Sequence, residues 1–224
     1  LYLESHGVVF SPETARINEF SVKNTDVSLT LGSFESTDTV DSEPLFWKIL
    51  LDEIDFENVG FALKMPQDSL FVRTMLSKTT LKDGVIDLKE ASYYVKSFDM
   101  DNAELAYGPK EELSLKKIGL QLDSIYYCGR DIRANVEEFV FKERSGLELV
   151  STEGRIASDS VLIQIPKFTM KTTASSLDLQ TKIGWDVLEM KKTGVLSAKI
   201  NAEIGKGDVA KILGGRDTLF LQTY

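Results

Sequence analysis

The chain has 224 residues, of which 42% are apolar and 27% charged, and its formal net charge is −9. That is an ordinary globular composition, large enough for a substantial core, and its acidic balance argues against a basic stripe for nucleic acid or a polybasic membrane-surface patch. One cysteine, Cys128, allows no internal disulfide, and one histidine, His6, rules out a His-rich metal site.

The stretch "INEFSVKNTDVSL", 17–29, reads as two strand segments around a polar interruption. The acidic, Ser/Thr-rich "SFESTDTVDSE" that follows reads as a loop, so residues 1–32 are expected to form a first strand-turn-strand unit and 33–44 an acidic loop. "EPLFWKILLDEI", 43–54, fits either a short helix or a strand. Overlapping its end, Asp52, Ile54 and Phe56 alternate with Glu53, Asp55 and Glu57, the pattern of a strand with one wet face.

Lys82-Asp83-Gly84, Ser145-Gly146 and Glu153-Gly154 punctuate the later alternating runs as predicted turns, and "SVLIQIPKFTM" and "AKINAEI" alternate as strands do. Near the end Asp208 is placed to cap a short helix with "VAKIL" as its body and Gly214-Gly215 as its stop. Helical periodicity is otherwise almost absent. The fold class expected is all-β: an elongated, twisted antiparallel sheet with repeated strand-turn-strand units and one or two short helices.

The stretch "VKSFDMDNAELAY", 95–107, begins like a calcium loop, but its fifth and sixth loop positions are Ala103 and Glu104, where an EF-hand needs Asp or Asn and then Gly. A repeat explains it better. The same cadence runs through 17–29 and through "IPKFTMKTTASSL", 165–177. Ile17, Phe20 and Val22 correspond to Val95, Phe98 and Met100 and to Ile165, Phe168 and Met170. Four mostly polar positions follow in each copy, and the apolar parity switches across them, as at a turn between strands. On a longer scale "DSLFV", 68–72, returns as "DTLFL", 217–221.

No signature of an enzyme is present: "GKGD", 205–208, is neither a phosphate loop nor a dinucleotide fingerprint, and there is no GxSxG elbow. "IYYCGRD", 125–131, reads as a half-buried strand end with Gly129 in a turn, in preference to a reactive thiol tuned by Arg130. No catalytic residue, cofactor or metal is expected. The apolar stripe is the candidate site, with Ile17, Phe20, Val22, Val95, Phe98, Met100, Ile165, Phe168 and Met170 on one sheet face. Such a stripe either packs under a second sheet or lines an open trough that holds acyl chains. Alternation alone does not separate the two. In a closed sandwich, Trp47 and Trp185 are the candidate stacking residues for a ligand such as a sugar, or else core anchors.

Residues 68–108, 137–179 and 201–215, with their cadence of glycine, alternating strand and short Asp-capped helix, resemble the AsmA-like/TamB-like envelope proteins of Gram-negative bacteria. The likeness covers most of 45–224, expected to be a repetitive β region, and is diffuse. It implies a periplasmic, non-enzymatic segment of a longer protein, whose body is a half-open β-groove for phospholipid transfer or outer-membrane biogenesis. It also implies an N-terminal inner-membrane anchor and an outer-membrane barrel partner for the full-length protein. The nine apolar residues become groove lining, with phospholipid or another acyl-chain molecule as ligand. The alternative is an assembly scaffold that engages outer-membrane β proteins through a sheet edge.

Overall fold

The computed structural model describes residues 2–31, 46–65, 70–108, 112–191 and 194–212. They form β1 (Tyr2–Ser11), β2 (Thr14–Thr30), β3 (Lys48–Met65), β4 (Leu70–Asp87), β5 (Ser92–Tyr107), β6 (Leu113–Cys128), β7 (Asp131–Glu143), β8 (Glu148–Ser158), β9 (Leu162–Thr172), β10 (Ser176–Gly184) and β11 (Leu196–Glu203). Two short helices complete them, α1 (Trp185–Leu188) and α2 (Lys206–Ile212). The strands lie in one sheet in chain order. The all-β class, the elongated sheet and the two short helices are as the sequence leads one to expect.

Every pairing is antiparallel except β2 with β3, which run parallel. Parallel neighbours need a connection of roughly a dozen residues or more. The span between Thr30 and Lys48 meets that need. The expected acidic loop at 33–44 falls in it and lies outside the described residues, as does "DTLFL". Of the two readings of 43–54, the strand is adopted from Lys48 onward, where Ile49 and Leu51 pair with Ile86 and Gly84.

Extensive contacts join only strands adjacent in this order, apart from α1 against β10. Among the described residues no second sheet closes over the first. The chain exposes 15340 Å², against roughly 10,000 Å² for a compact protein of its mass. The sheet is therefore open, and the alternative of a closed sandwich is not the architecture of the described residues.

Two of the three expected turns of the repeat are not turns. Lys23-Asn24-Thr25-Asp26 lies inside β2 and Asp101-Asn102-Ala103-Glu104 inside β5. Only Lys171-Thr172-Thr173-Ala174 joins two strands, β9 and β10. In the other two the strand continues through one left-handed residue, Asn24 (φ 49°) or Asn102 (φ 52°). Asparagine tolerates this region because its short side chain bonds locally. Asn58 (φ 52°) stands beside Asn24 in the ladder and donates its Nδ2–H to Asn24 Oδ1 at 3.3 Å, while Ser77 Oγ–H donates to the Asn102 carbonyl at 2.8 Å. Lys117 (φ 51°) carries the line into β6.

A second line runs through Gly7 (φ 65°), Asp83 (φ 51°) and Ser124 (φ 55°). Lys82-Asp83-Gly84 is thus a kink within β4, and Glu153-Gly154 likewise lies within β8; Ser145-Gly146 is a true turn between β7 and β8. Each left-handed residue shifts the alternation by one, which returns the next apolar residue to the same face. Gly84 shows this directly: a Cβ there would sit 3.1 Å from Leu81 Cδ2 and 3.2 Å from Leu51 Cβ.

Leu149 and Thr152 in β8 are deeply buried, and a second group of buried side chains flanks the first line of kinks. Val22, Val59, Thr79, Ala103 and Ile118 are all nine-tenths or more buried with no layer above them. Burial of that kind on an uncovered sheet means that the panels on either side of the crease lean toward each other over the apolar face.

Candidate binding face

Residues opposite each other in a ladder share a face, with Cβ atoms about 5 Å apart. One register row runs unbroken from β2 to β11: Phe20, Ile54, Leu81, Phe98, Leu122, Val136, Gly154, Phe168, Leu179 and Ile200. The three phenylalanines aligned by the repeat therefore share a single row. Its one glycine is filled from the neighbouring strand, since a Cβ on Gly154 would collide with the Phe168 ring and come within 2.8 Å of the Lys167 carbonyl.

Parallel rows hold the remaining candidates. Ile17 and Val95 are joined through Leu51 and Gly84, and Val22 and Met100 through Phe56 and Thr79. Ile165 lies opposite Thr181, and Met170 between Thr152 and Leu177. Val22 is buried and the other eight are half-buried. Toward the end of the sheet the face opens, and Ile200 is 62% exposed.

Several residues of this face escaped the repeat. Leu51, Ile54, Phe56, Phe61 and Leu63 in β3 carry the full cadence in the same direction, a signal that was available to be found. β4 faces the same positions in reverse order with Gly84, Leu81, Thr79, Thr74 and Val72, of which only Leu81 and Val72 are large and apolar, because it runs antiparallel to β5. A forward alignment passes over any such strand.

The opposite face is charged. Lys82 Nζ lies 3.1 Å from Glu53, Lys23 Nζ lies 3.0 Å from Glu57, and the Thr80 hydroxyl donates to Asp55 at 2.6 Å. Exposed pairs like these contribute ~0–1 kcal/mol each. They mark which face is wet more than they hold the sheet together.

The rim at the β6–β7 and β8–β9 turns holds a polar cluster. Arg130 stacks 5.4 Å from the centre of the Trp185 ring and pairs with Glu189, while the indole N–H donates to the Asp159 carbonyl at 2.7 Å. The Lys191 hydrogen bond, and then the Arg130 charge, hold the Glu189 carboxyl below its ordinary value. The Leu162 and Val161 amides do the same for Asp159. Partial desolvation, with Cys128 close by, raises the Tyr126 phenol. Each group is satisfied by another, so the cluster ties turns together. Trp47 makes an edge-to-face contact with Phe10 at 6.3 Å. It precedes β3 whereas Trp185 follows β10, and at ~4.8 Å per strand the two stand roughly 30 Å apart along the sheet. They do not form one stacking site.

Among the described residues no group of three or more His, Cys, Asp or Glu side chains is arranged to hold a metal ion, and no helix is long and apolar enough to cross a membrane. Fold and face together define an open, creased β-sheet protein with one apolar side. Comparison with protein-family models, with curated proteins and with solved structures found no match.

Proposed function

We propose that this chain is a non-catalytic segment of an AsmA/TamB-like envelope protein and that its apolar face carries acyl chains of phospholipid. The observation that supports the reading is the unbroken apolar row from Phe20 to Ile200, uncovered by any described element and backed by a charged face. A row crossing β2 to β11 spans roughly 43 Å at ~4.8 Å per strand. Half the hydrocarbon core of a bilayer is roughly 15 Å. One acyl chain therefore fits along the row with length to spare, and each methylene buried gains ~0.8 kcal/mol.

In this reading the protein works in the periplasm, as one stretch of a longer groove anchored at the inner membrane and reaching an outer-membrane barrel partner. No residue acts on the lipid chemically; the face holds it and lets it move along the row.

Native mass spectrometry of the purified chain, followed by organic extraction, tests this. Phospholipid mass should accompany the chain and be lost in Phe98→Glu, which puts a charge at the centre of the row. A folded Phe98→Glu chain that keeps its lipid, or a wild-type chain that takes up none from anionic phospholipid vesicles, would sink the reading.

A further inference from the structure

The two edges of the sheet are built differently. β1 is interrupted by Gly7 at φ 65° and carries the His6–Glu4 pair, both of which blunt an edge against further pairing. β11 has no bulge, no proline and no register shift against β10, and all its residues are exposed. Leu196, Ile200 and the following Ile204 are 65%, 62% and 72% exposed.

The Val195 carbonyl accepts from the Gly184 amide at 2.7 Å, so along β11 the odd-numbered residues direct their backbone groups to β10. The N–H and C=O groups of Leu196, Ala198, Ile200 and Ala202 therefore face outward, without a strand partner among the described residues. The side chains on this edge divide cleanly: Leu196, Ala198, Ile200 and Ala202 on the apolar face, Ser197, Lys199, Asn201 and Glu203 on the polar one. Directly across β10, Lys199 and Glu203 stand opposite the neutral Gln180 and Ser176.

We infer that β11 pairs with β11 of a second copy of this chain, antiparallel about a two-fold axis at Asn201. In that register Lys199 of each copy stands opposite Glu203 of the other, Ile200 opposite Ala202 and Ala198 opposite Ile204. Large side chains meet small ones on the apolar face, and opposite charges meet on the polar face. Moving the axis to Ile200 or to Ala202 keeps the faces aligned but takes both Lys199 and Glu203 away from a charged partner, so charge selects the register. The product is one continuous sheet whose apolar face runs through both copies. This inference does not rest on lipid binding and concerns the 224-residue chain itself, since in a longer groove built in the same chain order the next strand would take this edge.

Sedimentation analysis of the full chain over a range of concentrations tests it. A monomer–dimer equilibrium is expected. Lys199→Glu alone, or Glu203→Lys alone, sets like charges opposite each other twice and should weaken the dimer about tenfold or more. The double variant Lys199→Glu/Glu203→Lys should restore it. Ala202→Pro removes an outward donor without touching the β10 ladder and should leave a folded monomer by circular dichroism. A chain that is monomeric throughout would overturn the inference, and so would a dimer indifferent to the charge exchange. Open-ended oligomers, or pairing with an added apolar-alternating peptide in place of self-association, would overturn it as well.

Discussion

β2 to β6 and β8 to β11 are stretches of one ladder at two lengths. The first five strands have 16 to 18 residues and the last four 8 to 11. Long strands cross the line of left-handed residues, so each carries apolar side chains on both panels of the crease. Phe98 sits in the middle of that region with Leu81 and Leu122 on either hand. Ile200 occupies the same row at its end, with Leu179 on one side only. The difference teaches that burial in an open sheet comes from neighbours on both sides, with no second layer required; Leu149 and Thr152, inside the short β8, are each only 2% exposed.

Substitution along one row gives the largest contrast. Phe98→Ala should cost about 2–3 kcal/mol in urea unfolding, whereas Ile200→Ala, already mostly exposed, should cost under about 1 kcal/mol. Equal costs would mean that the crease shelters nothing. A smaller effect is expected at the crease itself. Asn102→Val forces a β-branched residue to φ 52° and should cost about 1–2 kcal/mol, while Asn102→Gly should leave stability nearly unchanged.

The smallest effect belongs to the short-strand region. Asp208 was expected to cap α2, but the helix begins at Lys206 and places Asp208 within its first turn, 2% exposed. Its carboxylate turns back to accept the Ser175 hydroxyl at 2.6 Å and the Thr172 hydroxyl, and Gly205 N–H donates to Ser175 Oγ at 3.0 Å. Those hydroxyls first, and then Lys211, hold the Asp208 carboxyl below its ordinary value. A depressed folded value means that the anchoring is complete above the ordinary aspartate range and is lost as pH falls through the lower folded value. The protection of the Gly205 and Val209 amides against hydrogen exchange, relative to their intrinsic rates, should fall over that acidic interval. In Asp208→Asn the pH dependence should vanish.

Strand identity was legible in the sequence wherever apolar residues alternated, and the correspondence of Phe20, Phe98 and Phe168 led directly to their shared row. The kinks were not. A hairpin turn and a left-handed residue inside a strand draw on the same Asn, Asp and Gly, and both shift the apolar parity. At Asn102 and Asp83 only the ladder on both sides reveals that the strand goes on. Open and closed sheets show the same alternation, so the missing second layer was equally invisible. Strand direction hid the rest, since the cadence of β4 is that of its neighbour read from the other end.

The strictly sequential strand order bears on how such a chain comes together. Apart from the connections between β2 and β3 and between β10 and β11, the latter carrying α1, each ladder joins strands separated by at most five residues, so few contacts wait for distant parts of the polypeptide. Local topology of this kind favours quick closure, and growth can proceed by docking one strand at a time onto an existing edge. A polypeptide emerging end first could lay down its sheet as it arrives, with each new hairpin templated by the last.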